Sequence, residues 1–497
     1  MLVEYDKYAA FLTVIIGTLT IYSIDYMASE MVESAVMLRN KLIGTRQFYS
    51  SVFAVALPIL VQNVITTFVN LLDNIMVGRT GTEPMSGVAI SNQLLFVVNL
   101  GLFGMISGIG IFTAQFHGKG DRDGVRKTFR IKLVCAAVFI TASILLLSFF
   151  GDKLIWLYLH EGEADLDLNT VFEYGRHYLS VVMIGLPFFG LSQVYAGTLR
   201  ETGEGKVPMT AGITAVFMNL ILNYILIYGK LGFPAMGVIG AAVATDISRL
   251  AEASINMVWA HAHKDKAVFA GAVFAKQHIS SEMLGKVLFT AAPLFFNEFL
   301  WSAGQTVLNQ LYSQKGIEVV PAINISGAAI NLFMTFYLAM GNALSIVVGH
   351  ALGRDAKEEA IDTDRKIIFL TAVSTLAIGV ITFLSADLIA DIYNTTEGVK
   401  ALAATFIRIS AVMMPIDATV ICYYFTLRCG GKTLITFLFD SCFSWVVSIP
   451  LAWCILRFTG LSIIGMYACI VGANLIKLVI GAILVSKKLW VNNLVND

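Results

Sequence analysis

Apolar residues dominate the chain in twelve long stretches that are separated by short polar segments. A helix needs about 20 mostly apolar residues to cross the hydrocarbon core of a bilayer, and each stretch reaches that length. Because lipid offers no partner to backbone N–H and C=O groups, such stretches predict helices. The sequence therefore predicts an all-α membrane protein with twelve transmembrane helices, near residues 52–78, 86–114, 131–150, 174–198, 208–229, 237–262, 284–312, 322–351, 367–388, 401–427, 433–456 and 463–486.

The composition agrees with a membrane protein and excludes two classes. Of the 497 residues, 57% are hydrophobic and 14% are charged, whereas soluble domains carry about 25% charge. A soluble enzyme is therefore excluded. The 34 Lys and Arg balance 34 Asp and Glu, so no basic surface is predicted for nucleic acid. The expected partners are the lipid bilayer and a small-molecule substrate. The protein is expected to be a monomer.

Lys and Arg in the short loops predict the orientation, because cytoplasmic loops carry an excess of them. Residues 119–132 contain six, and residues 354–366 contain four. Loops on the other side hold single cations, and residues 161–167 include four acids. We expect a multi-pass plasma-membrane protein in which both basic loops and both ends of the twelve-helix core face the cytoplasm.

Residues 1–45 precede this core. Tyr8–Ile24 is apolar over 17 residues, which is the lower limit for a span, and a polar segment follows. An extension helix is expected here, either as a thirteenth span or as an interfacial helix. The rest divides into an N-lobe (46–263), a cytoplasmic linker (264–283), a C-lobe (284–487) and a cytoplasmic tail (488–497).

The two lobes form an internal repeat. One sequence offset aligns Pro58 with Pro293, and a second, slightly shorter offset aligns both Pro187 with Pro415 and Thr198-Leu-Arg200 with Thr426-Leu-Arg428. Six spans per lobe is an even number, so the lobes insert in the same orientation, around an axis along the membrane normal. The four prolines either bend helices during transport or only shape their packing, since proline is common in membrane helices.

Two pseudo-symmetric lobes favour a secondary transporter with a substrate cleft between them. The chain contains no G-x-x-x-x-G-K-[ST] sequence that would bind nucleotide phosphates. No paired catalytic acids, histidine clusters or nucleophile motifs indicate an enzyme. We therefore expect transport without a cofactor, with energy from an ion gradient or from the substrate's own gradient.

Three acids lie well inside predicted spans without a basic residue one helical turn away: Asp73, Glu298 and Asp417. A buried charge in a span costs about 3 kcal/mol or more and indicates function. Each can be neutralised by a proton or a sodium ion. Two further acids are less clear: Asp246 is interpreted as a local partner of Arg249, and Asp440 has no evident partner.

Polar residues of the N-lobe can join Asp73. Asn219 and Asn223 share one face of the fifth span, and Thr245 lies in the sixth. Their oxygens suit a sodium ion or a protonated acid. At the repeat-related positions the C-lobe has Leu308, Trp445, Ile449 and Ala473, which cannot bind a cation. The cluster is thus predicted to be a cation site, with a helix-packing hydrogen-bond network as the alternative.

The segment from Pro58 to Gly81, PILVQNVITTFVNLLDNIMVGRTG, resembles the first helix of the multidrug and toxic compound extrusion (MATE) family. Asn219-Leu-Ile-Leu-Asn223 and Gly240-Ala-Ala-Val-Ala-Thr245 agree with it, and the resemblance covers residues 46–487.

The resemblance implies a cation-coupled antiporter that expels organic cations and other xenobiotics by alternating access. It implies coupling through Asp73, Asn219, Asn223 and Thr245, where sodium is a candidate metal ion, and a first helix that bends at Pro58. Glu298 and Asp417 are then the acids of the substrate cleft or a second coupling site. Some members have an acid at the position of Asn223, which leaves sodium and proton both open here.

Two alternatives remain at this stage. Lys119-Gly-Asp-Arg-Asp-Gly-Val-Arg126-Lys127 looks like the cytoplasmic loop motif of the major facilitator superfamily, which also has twelve spans. A lipid-linked oligosaccharide flippase is the other. Such flippases tend to have arginines in the cleft, and few cations lie in the predicted spans, which favours a cationic or neutral substrate.

Overall fold

The structure is a computed structural model that describes residues 42–159, 167–272 and 279–496. Most of the predicted extension (1–45) and the acidic residues 161–166 lie outside the described residues. The chain divides into a unit of residues 1–50, whose described part holds the start of the first helix, and a unit of residues 51–497. The second unit contains nearly all of the twelve long helices.

The described residues form helices without a strand, in agreement with the predicted all-α class. Long connections are absent within each lobe of the described chain, so consecutive helices run antiparallel. The twelve long helices are α1 Arg46–Gly78, α2 Thr82–Lys119, α3 Arg122–Tyr158, α4 Leu168–Glu201, α5 Lys206–Tyr228, α6 Gly237–Ala262, α7 Ser281–Ser313, α8 Val319–Gly353, α9 Lys357–Leu384, α10 Glu397–Cys429, α11 Thr433–Phe458 and α12 Ile463–Ser486, with a short helix, Ala386–Asp391, before α10.

Eleven of these helices are long and apolar enough to cross a membrane; α6 is the exception in the described chain. It has 26 residues, but Asp246, Arg249 and Glu252 lower its hydropathy. Large apolar side chains on the outer surface are exposed, such as Phe149 at 75% and Leu384 at 76%. An apolar surface of this extent belongs in lipid, so the chain is a multi-pass membrane protein.

The two lobes pack in the same way. In the N-lobe α4 packs between α2 and α6, and in the C-lobe the equivalent helix α10 packs between α8 and α12. The lobes join where α2 contacts α7 and α8. This arrangement is the predicted pair of pseudo-symmetric six-helix lobes.

All four predicted prolines lie inside helices: Pro58 in α1, Pro187 in α4, Pro293 in α7 and Pro415 in α10. Proline lacks the N–H that would continue the helix ladder, so each position weakens its helix. Bending at these positions during transport stays a prediction.

Local sequence explains where several helices begin and end. Asp121 accepts a hydrogen bond from Gly124 N at the start of α3, and Ser280 accepts one from Met283 N at the start of α7, which satisfies amides that have no partner within the helix. Gly120 ends α2 with a φ of 79°, a left-handed conformation that glycine adopts without strain.

Several helices extend beyond their predicted spans, and two of these extensions include residues predicted to lie in the basic loops. α3 begins at Arg122 and includes Lys132, which is fully buried, and α9 begins at Lys357 and includes Arg365 and Lys366. α3 extends beyond its apolar stretch because its first turns pack against α2. The remaining basic residues still gather at one end of the bundle, near the α2–α3 and α8–α9 connections, and we call this the basic end.

The orientation of the basic end can be tested by labelling. In a background without the six cysteines, Arg122→Cys lies at the basic end and Ile317→Cys, where the native side chain is 92% exposed, lies in the loop at the opposite end. A membrane-impermeant maleimide applied to intact cells should label Ile317→Cys and leave Arg122→Cys unlabelled until the cells are opened. The reverse pattern would contradict a cytoplasmic basic end.

Candidate transport site

A cavity of about 530 Å³ lies between the two lobes. It is lined by residues of both lobes, including Asn63 and Phe103 on one side and Glu298 and Tyr424 on the other. A concave, largely apolar pocket with a few polar groups is the usual form of a small-molecule site. The expected cleft between the lobes is therefore present.

The lobes close the cavity at the basic end through a contact that follows the internal repeat. Gly118 lies against the backbone of His350, and Gly353 lies against the backbone of Gln115. The offset that aligns Pro58 with Pro293 also aligns Gly118 with Gly353 and Gln115 with His350. A Cβ at either glycine would overlap the opposite backbone. This contact, which we call the seam, has the reciprocal form of a two-fold interface.

Two hydrogen bonds across the seam are related in the same way. Gln115 Nε2 donates to the carbonyl of Cys429 at 3.0 Å, and His350 Nε2 donates to the carbonyl of Glu201 at 2.6 Å. Glu201 and Cys429 end α4 and α10, and they are repeat-related by the offset of the prolines in these two helices. Each lobe thus binds the open carbonyl end of a helix in the other lobe.

The residues after α12 strengthen one half of the seam. Leu494 N donates to Gln115 Oε1 at 2.7 Å, and Lys119 Nζ donates to the carbonyl of Val495 at 2.8 Å. Val495 is 7% exposed and packs with Ile109 and Phe112 of α2. A segment that follows the C-lobe therefore binds the N-lobe.

The cavity wall carries more charge than the sequence predicted. Three basic residues line it, Arg200, Arg428 and Lys477, together with three acids, Glu201, Glu298 and Asp440. Of the two acids that the resemblance assigned to the substrate cleft or a second coupling site, Glu298 lines the cavity and Asp417 does not. The repeat explains two of the basic residues, since Arg200 and Arg428 are repeat-related.

The two predicted C-lobe acids therefore occupy different environments. Glu298 faces the cavity beside Asn297 and Trp301. Asp417 lies within the C-lobe and accepts a hydrogen bond from Asn474 Nδ2 at 2.8 Å. Glu298 can meet a substrate directly, whereas Asp417 is set back from the cavity, where it contacts α12 and interacts electrostatically with Lys477.

Asp440, for which the sequence suggested no partner, has two. Its Oδ1 lies 2.9 Å from Lys477 Nζ, and its Oδ2 accepts a hydrogen bond from Asn297 Nδ2 at 3.1 Å. Asp440 lies in a π-helical part of α11, Leu438–Cys442; π-helical turns are frequent at functional sites. The ion pair with Lys477 joins α11 to α12, and the hydrogen bond from Asn297 joins α11 to α7, both at the cavity wall.

The four residues of the predicted N-lobe cluster do lie together. Asn223 Nδ2 donates to Asp73 Oδ1 at 2.7 Å. One terminal atom of the Asn219 amide lies 2.8 Å from Asp73 Oδ2 and 3.1 Å from Asn223 Nδ2, and the other lies 3.3 Å from Thr245 Oγ1. The cluster connects α1, α5 and α6 and is not part of the cavity wall.

One atom of the cluster is available to a cation. Asn223 is 2% exposed, and its Oδ1 is buried without a hydrogen-bond partner in the described chain. Buried polar atoms are normally bonded. A carbonyl oxygen beside a carboxylate fits a sodium ion, and the same carboxylate can instead take a proton.

The C-lobe has apolar packing where the N-lobe has this cluster. Leu308 of α7 packs in one apolar cluster with Ile449 of α11, and these residues are the repeat-related positions of Asp73 and Asn223. The same helix contact is therefore polar in the N-lobe and apolar in the C-lobe.

Asp246 and Arg249 are close enough on α6 to interact electrostatically, as the sequence suggested. However, Asp246 Oδ1 and Arg249 Nη1 are each buried without a hydrogen-bond partner in the described residues. Arg249 also lies over the ring of Phe189, 5.0 Å from its centroid. The interaction between the two side chains is thus electrostatic rather than a direct hydrogen bond through these atoms.

Sequence reasoning missed buried charges at the basic end. Lys132 and Glu201 form an ion pair between α3 and α4, with side chains 0% and 11% exposed, and Lys132 Nζ also lies 3.3 Å from Thr198 Oγ1. Asp364 of α9 is 2% exposed and accepts a 2.5 Å hydrogen bond from Thr426. Comparison of the two halves could have indicated Glu201, because cysteine occupies the repeat-related position.

Two membrane-embedded lobes around a closed-ended cavity define a transporter fold. Comparison with known proteins identifies the family: the MatE family model matches residues 58–225 and again residues 293–454. The chain therefore belongs to the MatE family, whose members are membrane transporters rather than enzymes. The two matches begin at Pro58 and Pro293, the repeat-related prolines, and the family excludes the major facilitator alternative.

Two proteins named for multidrug resistance are similar in sequence to most of this chain. A protein of Thermotoga maritima named "Probable multidrug resistance protein NorM" is 27% identical over 433 residues, which cover 85% of this chain and 90% of that protein. The multidrug resistance protein MdtK of Yersinia pestis is 25% identical and covers 80% of this chain and 86% of its own length.

Solved structures share the fold. A MATE structure in a bent conformation aligns with a TM-score of 0.80 at 20% identity, over 89% of this chain and 95% of that one. An outward-facing MATE family transporter aligns with a TM-score of 0.78 at 20% identity, over 88% and 95%.

The Lys132–Glu201 pair gives a stability prediction. Glu201→Gln leaves the buried Lys132 ammonium without its counter-charge, which should lower the free energy of unfolding by roughly 3–5 kcal/mol. Thermal unfolding of the purified protein measures the loss. The double variant Glu201→Gln/Lys132→Met removes both charges and should recover most of it; a double variant as unstable as the single one would show that the pair is not the cause.

Proposed function

We propose that this protein is a secondary active antiporter that exports amphipathic organic cations, including multidrug-type xenobiotics, in exchange for sodium ions or protons. The MatE family membership supports export, and the relatives' names point to multidrug resistance. The observation that carries the coupling is the contact of Asp73 with Asn223 and Asn219. The proposal requires no cofactor, and one chain supplies the whole cavity, so a monomer suffices.

The separation of the N-lobe cluster from the cavity supports exchange. A cation at Asp73 and a substrate at Glu298 would occupy different places, so they need not compete for the same atoms. Each can favour a different conformation, and a ligand shifts a conformational equilibrium only by its difference in affinity for the two states. Binding at Asp73, between α1 and α5, is then communicated by movement of α1, which Pro58 weakens.

Alternating access requires the seam to open. In the present conformation the contacts of Gln115 and His350 close the basic end. If that end is cytoplasmic, this is the state that releases substrate outside. Uptake of substrate from the cytoplasm then requires both helix-end hydrogen bonds and the bound residues 494–495 to separate.

A flippase for an anionic lipid-linked sugar is the second candidate, because Arg200, Arg428 and Lys477 line the cavity. The acids beside them favour the cation exporter. The charges balance, so the wall does not form the basic surface that a diphosphate would need.

Asp73→Asn tests the coupling. The variant keeps the size of the side chain but cannot exchange a proton or neutralise a sodium ion, so gradient-driven counter-transport in proteoliposomes should fall to the level of protein-free vesicles. Imposed sodium and proton gradients are tested separately, which identifies the ion.

The matched control is Asp152→Asn, at an exposed carboxylate that faces Arg176 outside the cluster. It should transport at the wild-type rate. Wild-type transport by Asp73→Asn would exclude this carboxylate from coupling.

Gln115→Leu tests the seam. The variant removes the hydrogen bonds with Cys429, Asn492 and Leu494, so the basic end should open more often. If roughly 1.4 kcal/mol is lost, labelling of a cavity cysteine, Ser345→Cys, from that end should increase about tenfold. Inside-out vesicles and a membrane-impermeant maleimide measure the rate in a cysteine-free background. Gln310→Leu is the control, because Gln310 lies in α7 at the end of the bundle away from the basic end, and its labelling rate should match that of the unmodified Gln115 background. Equal labelling in both variants would mean that Gln115 does not stabilise the closed end.

A further inference from the structure

The ammonium of Lys477 occupies a place at the cavity wall that would suit a foreign cation. It lies 2.9 Å from Asp440 Oδ1 and over two aromatic rings, at 5.3 Å from the centroid of Phe439 and 5.6 Å from that of Phe443. A carboxylate together with aromatic faces is the arrangement that attracts organic ammonium groups. Here a side chain of the protein itself is the occupant.

The site borders the cavity, from which its occupant can be exchanged. Asp440, Phe439 and Lys477 all line the cavity, where the side chain of Asp440 is 22% exposed, that of Lys477 is 9% exposed and Phe439 is 5% exposed. Lysine has a flexible four-carbon stem and a compact charge, so its ammonium can leave without movement of the backbone. Glu298, which also lines the cavity, interacts electrostatically with Arg428 and Asp440. Asp417 interacts electrostatically with Lys477, so an acid other than Asp440 is near the ammonium.

The carboxylate itself is held in position without Lys477. Asp440 Oδ2 accepts the hydrogen bond from Asn297, and Asn297 Oδ1 and its carbonyl accept bonds from the Ser441 hydroxyl, both at 2.7 Å. The Asp440 side chain is thus fixed by α7 and α11, whereas Lys477 approaches from α12. Loss of Lys477 need not disorder the acid.

The repeat shows that this arrangement is particular to the C-lobe. Lys477 is repeat-related to Arg249, which lies over Phe189 and leaves Nη1 without a hydrogen-bond partner in the described chain. Arg249 is not among the cavity-lining residues. Of these two repeat-related cations, only Lys477 lines the cavity and forms an ion pair with an acid there.

We propose that Asp440 and Phe439 form a subsite for the cationic group of the substrate, and that Lys477 is its tethered competitor, which an incoming organic cation displaces. The inference rests on the proposed function, because it concerns a cationic substrate of the same cavity. It predicts that Lys477 weakens substrate binding, whereas a purely structural ion pair would strengthen the site by holding α11 and α12 in place.

Equilibrium binding of ethidium, a planar aromatic monocation, to the purified full chain in nanodiscs tests this without any ion gradient. Lys477→Met keeps much of the apolar stem and removes the charge, so ethidium should bind at least about tenfold more tightly. Asp440→Asn should bind about tenfold more weakly than the wild type. Lys487→Met, an exposed cation at the end of the same helix, makes the same charge change outside the cavity and should have no effect.

The double variant Asp440→Asn/Lys477→Met identifies the acid. It removes the whole ion pair, and the gain from Lys477→Met should disappear if Asp440 is the ligand. Phe439→Leu in the Lys477→Met background changes no charge and should weaken ethidium binding, which also tests the subsite if Asp440→Asn does not fold.

The outcomes separate this inference from the proposed function. Unchanged or weaker binding in Lys477→Met, with ethidium still exported by the wild type, would overturn the tethered competitor and leave the antiporter intact. Absence of both binding and export of ethidium by the wild type would overturn the cationic substrate and the subsite together. A gain in binding that persists in the double variant would overturn the role of Asp440.

Discussion

The closed end of the cavity depends on close backbone contact between the two lobes, which Gly118 and Gly353 allow. Without side chains at these positions, α2 and α8 approach until Gln115 and His350 reach the helix ends of the opposite lobe. Those carbonyls have no partner within their own helices, so the contact satisfies groups that lipid could not. Closure of the cavity at the basic end and the position of the residues after α12 follow from this approach.

The two lobes share a framework but differ in their polar chemistry. The same contact between first and fifth helices of a lobe holds Asp73 and Asn223 in one half and Leu308 and Ile449 in the other. The cavity acids come from both lobes, with Glu201 in the N-lobe and Glu298 and Asp440 in the C-lobe. This arrangement places an ion-binding candidate in the N-lobe cluster and a substrate-binding candidate at the cavity, so the two solutes can be bound by different atoms.

The sequence predicted the parts of the fold that depend on local pattern. Apolar length alone indicated the twelve helices, and even α6 was predicted despite Asp246 and Arg249. The N-lobe cluster could be predicted because its residues are unusual in a span and because the C-lobe served as an internal comparison. Family resemblance indicated the same four residues.

The missed features depend on contacts between distant helices. Lys132 was counted with a loop because a basic residue near a span end normally lies there, and only the packing of α3 reveals its burial beside Glu201. Asp440 and Lys477 are 37 residues apart on different helices, so no spacing rule joins them. The same holds for the basic residues of the cavity, whose side chains were not predicted to converge.

The reciprocal form of the seam has a consequence for how such a chain can arise. Because Gly118 meets His350 in the same way as Gly353 meets Gln115, the contact is self-complementary, and two identical six-helix chains could form it as a homodimer. Closure therefore does not require the halves to be different. Joining them in one polypeptide removes the need for both halves to carry the same polar residues, so the halves can differ as they do at Asp73 and Leu308.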